Sequence, residues 1–272
     1  MPELPEVETT CRGLAPTVVA QQITRAVVRH RGMRQPIPRG LEQRLQGKRV
    51  DALARRGKYL LFQIGTGTLI IHLGMSGRLW LVNAQIPPQK HDHFDLEFSQ
   101  GPIVRLRDPR RFGLVLWHGG DINTHPLIAR IGPEPLTDDF NAAVLYAATR
   151  QRSAAIKLVI MDSHVVAGVG NIYANEALYR AHIDPRLAAH RLSLKRCESL
   201  VIAIKETLAL AISAGGSSLR DYVGSDGQAG VFQNQFLVYD RLDHICSRCG
   251  SNIREIRQGQ RATYFCPGCQ RR

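Results

Sequence analysis

The sequence predicts an α+β protein in which a β-rich N-terminal part is followed by a helical part and a short metal-binding hairpin. Three observations predict it. From about residue 23 to 118, runs of β-branched and aromatic residues are broken by Gly, Pro and Asp. From 140 to 213, longer apolar-rich segments read as helices. Near the end, four cysteines stand in two C-x2-C pairs. A chain of 272 residues has room for two modest domains, and 44% hydrophobic residues with a mean hydropathy of −0.17 allow each a proper core.

In chain order, residues 3 to about 20 read as a helix, with Pro5 tolerated in the first turn and Glu3, Glu6 and Glu8 suited to the positive end of its dipole. ITRAVVRH, KYLLFQI, TLIIHL, RLWLV, HFDLEF and IVRLR then read as strands joined mostly by short connections, which favours an antiparallel sandwich over residues 1–126. PLIARIGPEPLTDDF carries three prolines and no sustained period, so 127–140 is expected to be a linker. FNAAVLYAATR, AIKLVIMDS, IYANEALYRAH and LKRCESLVIAIKETLALAIS read as helices of a domain over 141–235, with Gly215 and Gly216 stopping the last. Residues 236–272 form the cysteine-bearing segment.

Lys and Arg number 36 against 23 acids, giving a net charge of +13 and a sequence pI near 10.0. Such a surface selects polyanionic partners, nucleic acid first. Apolar runs such as LVIM at 158–161 fall far short of a membrane span. The start, MPELPEVETT, has neither the basic region nor the apolar run of a signal peptide, so a cytoplasmic protein without a membrane role is expected. In a reducing cytosol six cysteines are not expected to form three disulfides.

Cys246, Cys249, Cys266 and Cys269 have C-x2-C-x16-C-x2-C spacing, that of a zinc site. Four thiolates leave no open coordination position, so one Zn2+ of structural kind is expected. Between the pairs, NIREIRQ, a GQ turn and RATYFC read as a hairpin, dense in arginine and carrying Glu255 as its acid. Earlier, MDSHVVAGVGNIYANEALYRA places two helical segments around Gly168 and Gly170, with Asn171 as the expected N-cap of the second. A glycine turn beside free helix N–H groups is a candidate clasp for a phosphate backbone.

Pro2 follows the initiator methionine, and a small second residue normally permits its removal. A free secondary amine there is nucleophilic and titrates well below a lysine, and Glu3 stands next to it to move protons. Two turns carry large apolar residues, Met75 in HLGMSG and Phe112 in RDPRRFG. These are either wedges for a base stack or tips folded back on the core.

Taken together, PELPEVE, RRGKYLLF, HLGMSG, DPRRFG, GVGNIYANEAL and RATYFCPGC resemble, in order and over nearly the whole chain, the bacterial formamidopyrimidine-DNA glycosylases. The resemblance implies an N-terminal β-sandwich with flanking helices, a C-terminal helix–two-turn–helix domain with a four-cysteine zinc finger, and double-stranded DNA with damaged bases held in the cleft between them. It implies a monomer that is both glycosylase and abasic-site lyase, acting on 8-oxoguanine opposite cytosine and on formamidopyrimidines. By motif, Pro2 is the nucleophile, Glu3 its proton partner, Lys58 the lysine of β-elimination, and Arg261 the finger arginine of δ-elimination. Met75, Arg110 and Phe112 match the trio that fills the vacated stack and addresses the orphaned base. His91, Arg152, Lys157 and Asn171 fall where the family contacts DNA, and SSLRDYVGSDG at 217–227 resembles the segment that closes over the lesion. The related endonuclease VIII-type enzymes, which prefer oxidised pyrimidines, usually begin PEGPE where this chain has PELPE. A zinc-ribbon DNA binder without activity would explain the charge and cysteines but not Pro2-Glu3 with Lys58.

Overall fold

The structure is a computed structural model and describes residues 2–217 and 230–272. Its chain divides by contacts into two units, Met1–Ala129 with Ala214–Val231, and Arg130–Ser213 with Phe232–Arg272. Among the described residues no helix is long and apolar enough to cross a membrane.

The first unit opens with α1 (Leu4–Val18), followed by β1 (Ile23–Val28), the short α2 (Leu41–Leu45), β2 (Ala52–Arg56), β3 (Tyr59–Ile64), β4 (Gly67–His72), β5 (Arg78–Val82), β6 (Asp92–Phe98), β7 (Ile103–Arg107), β8 (Leu114–Gly119) and α3 (Pro126–Ala129). Two four-stranded antiparallel sheets result, in the orders β1-β6-β7-β5 and β2-β3-β4-β8. Leu60, Phe62, Leu69 and Ile71 of one sheet and Phe94, Leu96, Val104 and Leu106 of the other share one buried cluster with Val7, Leu14 and Val18 of α1. The expected sandwich is therefore present. Burial of Phe62 alone is worth about 3–5 kcal/mol against truncation to Ala. Two strands escaped the sequence reading: ALARR of β2, which is mostly charged and small, and LVLWHG of β8, which follows a turn already read as functional.

The second unit contains α4 (Ala142–Thr149), α5 (Ile156–Ile160), α6 (Asn171–Arg180), α7 (Leu194–Ser213) and the hairpin β9 (Arg254–Gln258) with β10 (Arg261–Phe265). Gly259 and Gln260 supply the left-handed turn, with φ of +52° and +61°. The helix α7 ends at Ser213, and Gly215 and Gly216 follow with φ of +76° and +83°.

This division departs from the bounds expected from the sequence in two ways. Residues 130–140, read as linker, are pinned within the second unit: Gly132 N–H donates to Ser163 O at 2.8 Å, Ala167 N–H to Pro133 O at 2.9 Å, and Phe140 is fully buried. Residues 214–217 and 230–231, read as part of the helical domain, group with the first unit, where Ser217 bonds to Glu6. A segment without helical or strand periodicity shows neither attachment in its sequence.

Candidate active site and nucleic-acid interface

Glu3 is the N-cap of α1 and forms a reciprocal capping box with Glu6: its carboxylate accepts the Glu6 N–H, while Glu6 Oε2 accepts the Glu3 N–H at 2.8 Å. Pro2 and Glu3, both buried, are thereby fixed against the first helical turn. The other Glu6 oxygen accepts from the Ser217 N–H at 2.8 Å and its hydroxyl at 3.0 Å. Glu6 was read only as a dipole partner, yet one carboxylate joins the N-terminus to the first residue of the 217–227 segment. Residues 218–227 of that segment lie outside the described residues.

Lys58 sits in the two-residue turn between β2 and β3, where Gly57 takes φ of +57° as the first position of such a turn demands. Arg55 braces the turn: its Nη1 donates to Gly57 O at 3.0 Å and its Nε to Glu8 Oε2 at 2.6 Å. Burial acts to raise the Glu8 carboxyl, but hydrogen bonds from Arg55 and Arg12 outweigh it and hold the group below its usual range. One helix thus carries Pro2 and Glu3 at its head and, a turn later, the acid that steadies the Lys58 turn. Across the β3–β4 pair, His72 stacks on Tyr59 with ring centroids 4.8 Å apart. Burial, then Lys58 and Arg34, push its imidazole down to about 4, so it adds no charge beside Lys58. Its Nδ1 accepts the Gly74 N–H at 3.0 Å.

The Met75 and Phe112 turns present their side chains to solvent, 41% and 44% exposed, so neither tip folds back on the core. The Arg110 guanidinium lies 4.8 Å from the Phe112 ring centroid. His91, half-buried, precedes β6 with φ of +74°, and its ring meets His93 edge-on.

In the second unit, Gly168 turns the chain with φ of +75° ahead of α6, but Gly170, not Asn171, is the N-cap. Asn171 is the first helical residue, and its Nδ2 donates to Ala262 O at 3.1 Å. Its Oδ1 is buried without a hydrogen-bond partner among the described residues. Lys157 also differs from expectation. It is fully buried and donates to Ala262 O at 2.8 Å and to the Thr263 hydroxyl at 2.7 Å, because a buried ammonium must be met by acceptors. In this structure Lys157 holds the finger strand. Arg261, next to that contact, is exposed at the hairpin tip. Arg152 is half-exposed and pairs with Asp162 at 2.9 Å.

The four expected thiols converge, with all sulfurs within 4.8 Å of one another. A tetrahedral zinc with Zn–S bonds of ~2.3 Å spaces its sulfurs about 3.8 Å apart; Cys246 and Cys269 stand at 3.8 Å and Cys249 and Cys266 at 3.3 Å. The donor set fits one structural Zn2+. Cys11 and Cys197 are buried elsewhere, and burial pushes both thiols up to about 11, away from the thiolate form. The finger is also held by acids and hydroxyls the sequence reading passed over. Buried Glu176 accepts the N–H groups of Leu237, Val238 and Tyr239 at 3.0, 2.9 and 2.9 Å, and the Tyr179 hydroxyl lies 3.2 Å from Cys246 Sγ. The one carboxylate of α6, on a helix whose neighbouring residues are all buried, was the available signal for Glu176.

The buried, capped Pro-Glu, the lysine turn and the exposed apolar tips of the first unit, and the four-cysteine hairpin of the second, are features that the resemblance to DNA glycosylases with lyase activity implies. Comparison with known proteins agrees along the chain. Residues 1–115 match the formamidopyrimidine-DNA glycosylase N-terminal domain, 131–223 the H2TH domain of the same enzymes, and 245–272 the zinc finger found in FPG and IleRS. The formamidopyrimidine-DNA glycosylase of Thiobacillus denitrificans is 55% identical over 271 residues, covering 100% of both chains. The Lactococcus lactis enzyme, solved as a variant with DNA containing Fapy-dG, is 36% identical with a TM-score of 0.92 over 100% of both chains. MutM, solved with DNA containing carbocyclic 8-oxo-G, is 37% identical with a TM-score of 0.91 over 100% of both. The chain belongs to the formamidopyrimidine-DNA glycosylase family.

Proposed function

We propose that this chain excises oxidised purines, 8-oxoguanine opposite cytosine and formamidopyrimidines, through a Schiff base on Pro2 and then cuts the abasic strand by β,δ-elimination. The observation that carries the reading is the buried Pro2-Glu3 pair, held by the capping box at the head of α1. With Met1 removed, the Pro2 amine attacks C1′ as the bond to the base breaks, and the proton that the amine loses goes to the departing base. Glu3 hands a proton to the ring oxygen as the sugar opens, leaving an iminium between Pro2 and C1′. Loss of the C2′ proton expels the 3′ phosphate, the step for which Lys58 is suited. Arg261 would hold the phosphate that leaves in the second elimination.

The base must first leave the duplex, which costs a few kcal/mol in unstacking. Met75, Arg110 and Phe112 are exposed together to fill the gap, and Arg110 reaches the orphaned partner. His91 and Arg152 are proposed to contact the backbone directly, Asn171 through the amide N–H it carries at the N-terminus of α6, and Lys157 only by fixing the finger strand beneath Arg261. The solved relatives bound to Fapy-dG and 8-oxo-G support the purine reading. Every group invoked comes from one chain, so we propose a cytoplasmic monomer on double-stranded DNA.

Borohydride trapping on an 8-oxoguanine:cytosine duplex tests the chemistry. Mature protein should yield a covalent adduct, and protein with Met1 retained or an N-terminal tag should bind DNA without one. Full trapping by verified tagged protein would rule out Pro2.

A further inference from the structure

The turns that carry Met75 and Phe112 converge on one carboxylate, that of Asp108, which is fully buried. Its Oδ1 accepts the Ser76 hydroxyl at 2.8 Å and the Arg110 N–H at 3.3 Å, and its Oδ2 accepts the Gly113 N–H at 2.8 Å. Its main chain is engaged as well. The Asp108 N–H donates to His91 O at 3.0 Å, and Asp108 O accepts from the Arg111 N–H at 3.2 Å and from His93 Nε2 at 2.9 Å. His93 reaches that carbonyl because it is the extra residue where the β6–β7 register slips between Asp92 and Phe94.

The two turns also touch backbone to backbone. A Cβ on Gly74 would come within 2.5 Å of Phe112 C and Gly113 N, and one on Gly113 within 2.7 Å of His72 O. Met75, Arg110, Phe112 and His91 therefore hang on a single block whose polar centre is Asp108. A wedge that must enter a base stack gains from being ordered before it arrives, since side chains fixed only on binding weaken the complex.

We infer that Asp108 is a positioning residue that presents these four groups to the duplex as one rigid unit, so that base extrusion and the check of the opposite base depend on it. The inference rests on the functional reading above. Chemistry at a site that already lacks its base should depend on it far less.

Asp108→Asn keeps the shape but turns one acceptor into a donor against N–H or O–H groups; Ser76→Ala removes only the tie to the Met75 turn. Single-turnover rates on 8-oxoguanine:cytosine, 8-oxoguanine:adenine and preformed abasic duplexes should separate the steps, with 2-aminopurine beside the lesion reporting extrusion. In Asp108→Asn, excision opposite cytosine should fall about 10- to 100-fold, with slower extrusion and a smaller cytosine-over-adenine preference, while abasic cleavage stays within about threefold. Ser76→Ala should show the same pattern at about three- to tenfold. Unchanged excision and selectivity in both variants would overturn the inference, as would a uniform fall in every activity together with a lower Tm. Wild-type protein inert on both lesion and abasic duplexes would instead overturn the functional reading itself.

Discussion

In the first unit the groups expected to meet DNA ride on turns of two sheets that bury Phe62, Leu69, Phe94 and Leu106 between them. In the second, the finger contributes to a much smaller cluster of Tyr179, Val238, Cys246, Ile253, Tyr264 and Cys266, two of which are zinc thiols. What the sandwich achieves by burying apolar area, the finger achieves by metal ligation and by side chains that reach its backbone: Lys157 and Asn171 to Ala262, Asn175 to the Tyr264 N–H, and Glu176 to the N–H groups of 237–239. The contrast follows from size. A hairpin of five-residue strands cannot bury enough surface to order itself, so it depends on ligation and on its host helices.

The largest expected effect breaks the metal side of this contrast. Cys249→Ser, or removal of zinc by a chelator, should unfold the finger and lower affinity for lesion DNA by about 100-fold, because the finger arginines proposed to meet phosphate go with it. Unfolding followed in the first unit, through Trp80 and Trp117 fluorescence, should be nearly unchanged. Metal content, a DNA titration and a melt check it. Undiminished affinity in metal-free protein would show that the finger is not a clamp.

A smaller effect probes how ligation is coupled to the helices. The Tyr179 hydroxyl on Cys246 Sγ ties α6 to a metal ligand, and such outer contacts commonly carry about tenfold in metal affinity. Tyr179→Phe should therefore give up zinc about tenfold more readily in a chelator competition, while zinc-saturated protein binds DNA as before. Equal zinc affinity would mean that the helix supports the hairpin by packing and backbone contacts alone.

The same contrast governs how much could be read from the sequence. Cys246 to Cys269 were legible because metal ligation imposes a spacing, and most strands because burial imposes a composition. Met75 and Phe112 stood out as apolar residues on turns. The polar supports did not stand out: Glu6, Asp108 and Glu176 act through hydrogen bonds to backbone brought near by folding, and backbone leaves no signature of its own. For the same reason Asn171 read as a cap, when Gly170 is the cap and the Asn171 amide reaches Ala262, and nothing in the sequence around Lys157 pointed to its two acceptors on β10. Residue type marked these positions as polar and specific, but the partner lay about 90 to 105 residues away in sequence.

The smallest expected effect tests a polar support inside the sandwich unit, where apolar burial should dominate. Glu8 joins α1 to Arg55 and through it to the Lys58 turn. Because its folded carboxyl titrates below the ordinary value, its contribution is present above about pH 4.5 and is lost as pH falls through the folded pKa. Glu8→Gln should cost about 0.5–1 kcal/mol at pH 7, and the gap to wild type should close as unfolding is followed down toward pH 3. The sandwich should hold in the variant, since its core is untouched, while trapping at Pro2 persists and strand cleavage by the Lys58 step slows a few-fold. A gap that stayed constant with pH would mean that Glu8 acts through packing and not through charge. A loss of several kcal/mol would mean that the first unit leans on its polar ties as heavily as the finger does, and the contrast between the two would collapse.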